Sequence, residues 1–341
     1  MTGPSLSVLI PSYNHAAYVG TALDSLWTQT RLPDQVLVID DGSTDGSVGV
    51  IEQALARAPG SVRCALRVQA NLGIAATRNA LVAAVDSDLI AFLDSDDVYA
   101  PTRLARLSAN WQPHQPYFAA SGVQFLGGPG GDLADGWETT YRLLLSQGMA
   151  FPSAGFTLLR SHFLISASNY VMSRHLIEQA GGFDHELQVC QEWDLTLRLL
   201  PEVEPQFVPE PLLHYRRHGN NTSRRSQTRI PQEVAHIYRK TAAWLGRSSV
   251  NPLAPTPVNW PTFFKVFVRL CRTLTGRPLL DHLPAECLST DPAALDTTGA
   301  QTRRDRLATQ RLLALAREQH TPAPIPLSAL MQGCQRNWAA P

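Results

Sequence analysis

The sequence predicts an α/β fold, a mostly parallel central sheet flanked by helices, followed by a mainly helical C-terminal extension. Short apolar runs alternate with amphipathic stretches through residues 1–100, the pattern of βαβ units. The runs end in polar, acid-rich clusters, which places reactive side chains where open parallel sheets bind ligands. Charge is also divided: formal net charge is zero, yet Pro211 to Leu280 carries +11 and the remainder −11. Such a division suggests a phosphate-rich ligand or an anionic surface at one end.

Leu6 to Ile10 reads as the first strand, and Pro11 is expected to end it because proline lacks an N–H. Val19, Ala22, Leu23, Leu26 and Trp27 recur at the spacing of an amphipathic helix. Gln35 to Ile39 forms a second strand and runs into Asp40-Asp41-Gly42-Ser43-Thr44-Asp45. Gly42 suits a turn there, and Thr44 or Asp45 is placed to cap a helix ending near Ala58. Val62 to Val68 is the third strand, and Ile74, Thr77, Leu81, Val82 and Val85 mark the third helix.

The fourth apolar run, Leu89 to Leu93, breaks abruptly into Asp94, Asp96 and Asp97. Three like charges this close repel one another and call for a counter-cation. A divalent metal carrying a polyphosphate supplies one, since hard cations take carboxylate and phosphate oxygens. An extended chain would set Asp94 and Asp96 on the same side. A strand-end turn with solvated acids is the plainer alternative. It loses ground because Pro11 to Asn14 and Asp40-Asp41 are delivered to the same sheet edge.

Gly127 to Gly136 has the composition of a flexible loop. Asn169 to Met172 reads as a strand, and Ser173 to Ala180 as a short helix closed by Gly181-Gly182. A further helix opens at Gln191-Glu192-Trp193-Asp194 and presents Trp193, Leu195, Leu199 and Leu200 as its apolar side. Acids also favour a helix start for stability alone. Asn251 to Pro261 holds Pro252, Pro255, Pro257 and Pro261 and reads as a linker. Beyond it Phe263, Val266, Phe267, Leu270, Cys271 and Leu274 share one helical face, with Lys265, Arg269 and Arg272 on another. That helix either packs on its own protein or lies on an anionic membrane surface. A last helix spans Arg303 to Glu318, ahead of a proline-rich tail from Thr321.

The five cysteines, Cys64, Cys190, Cys271, Cys287 and Cys334, include no C-x-x-C pair, so neither a disulfide framework nor a zinc site is indicated. No signal-peptide pattern and no long apolar span is read, so a cytoplasmic setting is expected, at most peripheral at the inner face of a membrane. A nucleic-acid partner is not expected.

Seven motifs in order resemble a family-2 glycosyltransferase of GT-A fold over about residues 5–225. They are Ser7-Val-Leu-Ile-Pro-Ser-Tyr-Asn14, Val38-Ile-Asp-Asp-Gly-Ser-Thr-Asp45, Asn71-Leu-Gly-Ile-Ala-Ala-Thr-Arg-Asn79 and Phe92-Leu-Asp-Ser-Asp-Asp97. Ala180-Gly-Gly-Phe-Asp184, Gln191-Glu-Trp-Asp-Leu195 with Arg198, and Tyr215-Arg-Arg-His218 complete the set. The resemblance implies an inverting enzyme that moves a sugar from a nucleoside-diphosphate donor to an acceptor hydroxyl, with Mn²⁺ or Mg²⁺ as cofactor. It implies residues 1–228 as the GT-A domain, divided near residue 100 into nucleotide-binding and acceptor halves, and 229–341 as the helical extension.

By the same resemblance Pro11, Tyr13 and Asn14 line the nucleoside pocket and Asp41 meets the base. A carboxylate accepts from N3–H of uracil or thymine, which favours UDP- or dTDP-sugars over cytidine donors. Arg78 faces the nucleotide, Asp94 lies near ribose and metal, Asp96 is the first metal ligand, and His218 lies on the metal or diphosphate. Arg216 and Arg217 follow toward the diphosphate or the acceptor. The family usually has Glu-Asp where this chain has Gln191-Glu192, so Glu192 is the expected general base, with Asp194 as competitor. The acceptor class implied is a saccharide or lipid-linked saccharide of surface polysaccharide, glycolipid or glycoconjugate synthesis; a homodimer is allowed. A non-catalytic nucleotide-sugar-binding module is the alternative, and a sugar-nucleotide nucleotidyltransferase a weaker one, because no Gly- and Arg-rich loop follows the first strand.

Overall fold

The structure is a computed structural model and describes residues 3–127, 137–148, 151–219, 221, 227–245, 249–268 and 303–318. The chain forms two compact units. The first comprises Met1–Glu138, Leu164–Leu195 and Pro205–Gln227; the second comprises Thr139–Phe163, Thr196–Glu204 and Thr228–Pro341. The units therefore interleave in sequence, in place of the single cut near 228 expected from motif order.

The first unit is built on one eight-stranded sheet of order β3-β2-β1-β4-β7-β6-β8-β5. Its elements are β1 (Leu6–Ser12), α1 (Val19–Trp27), β2 (Gln35–Asp40), α2 (Ser47–Leu55), β3 (Arg63–Val68), α3 (Ile74–Ala83), β4 (Leu89–Phe92), β5 (Val98–Tyr99), α4 (Arg103–Ser108) and β6 (Phe118–Gly127), then β7 (Val171–Ser173), α7 (Arg174–Gln179), the first five residues of α8 (Gln191–Leu199) and β8 (Gln206–Arg217). The helices numbered α5 (Trp137–Gly148) and α6 (Ala154–Arg160) lie between β6 and β7 in the chain. Strands β1 and β4 are buried along their whole length, as central parallel strands covered on both faces must be. Edge strand β3 alternates exposed and half-buried residues. Beyond β4 the pairing turns antiparallel, β4 to β7 and β7 to β6, before β6 and β8 pair in parallel.

Pro11 does not end the first strand: it pairs in register with Ile39, and Ser12 with Asp40. Leu9 O accepts from Leu93 N on the β4 side, while Ser12 O accepts from Asp41 N on the β2 side. By alternation Pro11 faces the β4 side, where pairing has stopped at Leu9 and Phe92, so its missing donor costs no ladder bond. At the start of α2 the cap position falls on Gly46 at φ +88°, and Asp45 Oδ1 accepts from Ser47 N at 3.0 Å. Asp45 thus does the capping expected of Thr44 or Asp45, from one residue further out.

The second unit has an aromatic core in which Phe156 contacts Trp260 and Phe263, while Phe151 and Phe156 both contact Phe267. Its proline-rich stretch is no linker. Asn251, Ala254, Thr256 and Trp260 are all buried. Asn251 Nδ2 donates to Leu200 O, and Asn259 Nδ2 to Asn251 O and Ala254 O. Prolines hold φ, and side-chain amides satisfy carbonyls that no helix or sheet reaches, so an irregular stretch can be core. The helix that follows is described only to residue 268. Over that length Phe263, Phe264 and Phe267 are buried in the unit's own core, which removes them from any membrane-facing role. Asp305, on the helix Arg303–Glu318, accepts from Thr262 N and Phe263 N and closes that helix start. Among the described residues no helix is long and apolar enough to cross a membrane. The glycine-rich loop at 128–136, Arg224, Arg225 and the tail lie outside the described residues.

Candidate active site

The carboxyl ends of β1, β2 and β4 open into a cleft of about 1000 Å³ in the first unit. Asn14, at φ +53°, turns the chain out of β1, its N–H donating to Ser43 Oγ and its Oδ1 accepting from Thr44 N, both at 2.8 Å. The first two loops are thereby tied into one rim. Tyr13 stands on that rim with its side chain about half exposed at 47%. Asp41 is buried and held by three donors: Gln69 Nε2 and Leu72 N on Oδ1, and Gly73 N on Oδ2. A carboxylate oxygen has two lone pairs, so one acceptor site remains, on Oδ2.

The middle of the cleft is organised by Arg78 of α3. Its guanidinium is buried, with one nitrogen 2.8 Å from Asp94 Oδ1 and another 2.6 Å from Glu192 Oε1. It also lies over the Phe183 ring at 5.4 Å. Burial alone would lower its pKa, but the two carboxylates hold it above its ordinary value. Burial pushes Asp94 up, and Arg78 with the Ser166 hydroxyl more than reverses this, so Asp94 stays below the usual carboxylate range. Glu192 differs: burial dominates and leaves its carboxyl raised despite Arg78. Tyr170 Oη donates to Glu192 O and fixes the start of α8.

Two of the sequence motifs meet behind Arg78. Asn79 Nδ2 donates to Phe183 O and Asn79 Oδ1 accepts from Phe183 N. Gly182, at φ +76°, lies so close that a Cβ there would stand 2.5 Å from Asn79 Oδ1. The Gly-Gly-Phe turn therefore sets Phe183 under the guanidinium.

Residues 94–97 form a turn, with Asp97 N donating to Asp94 O at 3.0 Å, rather than the extended run expected. Asp94 and Asp96 consequently part company. Asp94 joins the Arg78 pair, while Asp96 Oδ2 lies 2.9 Å from His218 Nε2. Arg216 Nε donates to Asp96 O and its backbone N–H to Asp97 Oδ1. Burial, then the neighbouring charges of Asp96 and Asp94, push Asp97 well above its ordinary value. Among the described residues the group with metal-ligand geometry is His15, Asp96 and His218, whose ligand atoms all lie within 4.8 Å of one another. One carboxylate and imidazole nitrogens suit a first-row transition metal such as Mn²⁺. Asp94, expected as a ligand, is not in that group.

The structure brings Pro11, Tyr13, Asn14, Asp41, Arg78, Asp94, Asp96 and Glu192 to one cleft. Asp194 is buried and does not line it, since residues two apart on a helix point to nearly opposite sides. Arg78 lines the cleft with its guanidinium turned to two carboxylates. Arg217 closes β8, outside the cleft lining. Sequence reasoning passed over His15, Gln69, Ser166 and Ser168. Only His15 carried a signal, following directly on the Pro11 to Asn14 motif.

A family model described as glycosyl transferase family 2 matches residues 7–167. A Nostoc sp. protein described as an uncharacterized glycosyltransferase is 40% identical over 102 residues, 30% of this chain and 31% of that one. The alignment thus spans under a third of that relative. Among solved structures, S. aureus TarS in complex with UDP-GlcNAc aligns with a TM-score of 0.57 at 16% identity over 94% of both chains. The mannosyltransferase PcManGT of Pyrobaculum calidifontis, in complex with GDP-Man and Mn²⁺, aligns with a TM-score of 0.55 at 18% identity, over 99% of this chain and 88% of that one. These two share the fold. The motifs and the sheet order agree with this match to the glycosyl transferase family 2 model over residues 7–167.

Proposed function

We propose that this glycosyltransferase is an inverting, metal-dependent enzyme that moves a sugar from a UDP- or dTDP-sugar to an acceptor hydroxyl. The observation that carries this reading is the meeting in one cleft of Asp41, with one acceptor position left open, Asp96, whose carboxylate contacts His218, and Glu192, a largely buried carboxyl of raised pKa.

Asp41 keeps one acceptor position in a fixed direction, which fits N3–H of uracil or thymine and opposes cytosine, an acceptor at that atom. Guanine also offers a donor, so GDP is the informative control. The Tyr13 ring, half exposed on the rim, offers a stacking face to a base. Asp96 and His218 would hold the divalent cation, which when bound neutralises charge developing on the departing diphosphate.

Glu192 takes the proton of the acceptor hydroxyl as its oxygen bonds to the anomeric carbon and the carbon–diphosphate bond breaks. One displacement with one base inverts that carbon. A carboxyl raised above its ordinary value suits this task, because it is the stronger base once ionised. Arg78 opposes the rise of the Glu192 pKa and orients its carboxylate, and its bond to Asp94 fixes the base relative to the donor side of the cleft. Arg216 holds the 94–97 turn in place. The acceptor, by the family resemblance, is a saccharide or lipid-linked saccharide, and the site of action the cytoplasm or the inner membrane face.

Calorimetry with UDP, dTDP, GDP and CDP, with and without Mn²⁺, tests the donor side. Metal-dependent preference for UDP or dTDP is expected. A folded protein that binds none of the four overturns the reading and leaves a module without nucleotide affinity.

A further inference from the structure

We infer that His15 is a third protein ligand of the divalent cation, making the centre a His–Asp–His set that favours first-row transition metals such as Mn²⁺ or Co²⁺ over Mg²⁺. The inference rests on the transferase reading for the presence of a cation, and adds to it a residue and a metal preference. Ligands bound at about 2.1 Å to one small divalent ion stand roughly 3 to 4 Å apart. The His218–Asp96 contact of 2.9 Å already has that spacing, and all three ligand atoms lie within 4.8 Å.

The placement of His15 is built in. Its N–H donates to Ser47 Oγ, and its carbonyl accepts from Tyr18 N and Val19 N at the start of α1. Its Nδ1 lies 2.8 Å from Ser95 Oγ, the residue next to Asp96. Metal-bound histidines are commonly oriented by such a contact on the other ring nitrogen, which leaves Nε2 for the cation. The rings are boxed: His15 meets His218 edge-on at 5.7 Å, and Tyr18 stacks on His218 at 4.8 Å. Mg²⁺ prefers oxygen ligands and a largely hydrated shell, whereas imidazole nitrogen suits later divalent metals.

The test titrates the folded full chain with Mn²⁺ in the presence of UDP, by calorimetry, and counts nitrogen couplings to bound Mn²⁺ by pulsed electron paramagnetic resonance. Wild type is expected to show two histidine nitrogens. His15→Ala should show one and bind Mn²⁺ at least about tenfold more weakly, the scale seen even for outer-shell losses. Ser95→Ala should keep both nitrogens with a smaller loss, and His15→Asp should move the preference toward Mg²⁺. If His15→Ala keeps both couplings and full affinity while Asp96→Asn loses Mn²⁺, the role of His15 is overturned and the transferase reading stands. No Mn²⁺ binding by folded wild type overturns both.

Discussion

Glu192 and Glu204 lie twelve positions apart in the chain, one in the cleft of the first unit and the other half-buried in the second. Burial raises both carboxyls above their ordinary value. They differ in what faces them. Glu192 touches a buried arginine at 2.6 Å and lines an open cleft. Glu204 accepts from Gly155 N and Asn251 Nδ2, feels Arg304 only at a distance, and is pushed up to about 7. Burial alone therefore makes a carboxyl that sheds its charge. A cation within hydrogen-bond reach and an exit to substrate are what make one usable as a base.

The largest effect that sharpens this contrast is the loss of Glu192. Glu192→Gln should retain nucleotide binding and lose about 10²- to 10⁴-fold in kcat, the range of general-base contributions. Isothermal binding beside a transfer assay checks it, and full transfer by the folded variant would remove Glu192 from the chemistry.

Next comes Arg78→Met, which strips the cation from Glu192 and Asp94 together. Leaving buried carboxylates unpaired costs about 3–5 kcal/mol, read as a lower denaturant midpoint. Arg78 lowers the Glu192 pKa against burial, so its removal must raise that pKa further. The acid limb of kcat/KM, which follows ionisation of the base, should then move to higher pH. An unmoved limb would separate Glu192 from the profile.

Glu204→Gln probes the other side of the comparison, with a smaller effect. In the unfolded chain this carboxyl ionises near its ordinary 4.5, whereas the folded chain holds the proton to about 7. The native state binds the extra proton between those values, so stability falls as pH rises through that window and stays lower above it. At pH 8 the glutamine variant should be more stable than wild type by up to about 3 kcal/mol, with the difference vanishing near pH 4. Parallel unfolding curves across pH would contradict the raised pKa.

The legible parts of the molecule are those whose partners are near in sequence or repeat at a fixed period. Val36 to Ile39 and Leu89 to Phe92 announce buried strands by composition alone, and the acids that end them announce the cleft. The second unit was illegible because its core joins Phe156 to Trp260 and Phe263, with the strands and helices of the other unit between them in the chain, and prolines that read as a linker hold its coil. In the cleft the identity of Asp94 and Asp96 was readable but their division of labour was not. That division follows from a turn at 94–97 and from Ser166 and Ser168, which no local pattern connects to it. His15 was overlooked because a single histidine after a motif has no periodic partner until β8 brings His218 beside it.

The smallest expected effect tests how the clamp itself is held. Gly182→Ala adds a methyl 2.5 Å from Asn79 Oδ1 at a φ of +76° that a side chain disfavours, so the 180–184 turn must shift or strain. The strain should cost about 1–3 kcal/mol. Phe183 supports the Arg78 guanidinium, so the shift should reach Glu192 through Arg78, lowering kcat while leaving UDP affinity unchanged. A kcat lowered with UDP affinity unchanged would show that the raised carboxyl of the cleft depends on its cation's placement. A variant that loses stability but keeps kcat would show that Arg78 is held by its carboxylates alone.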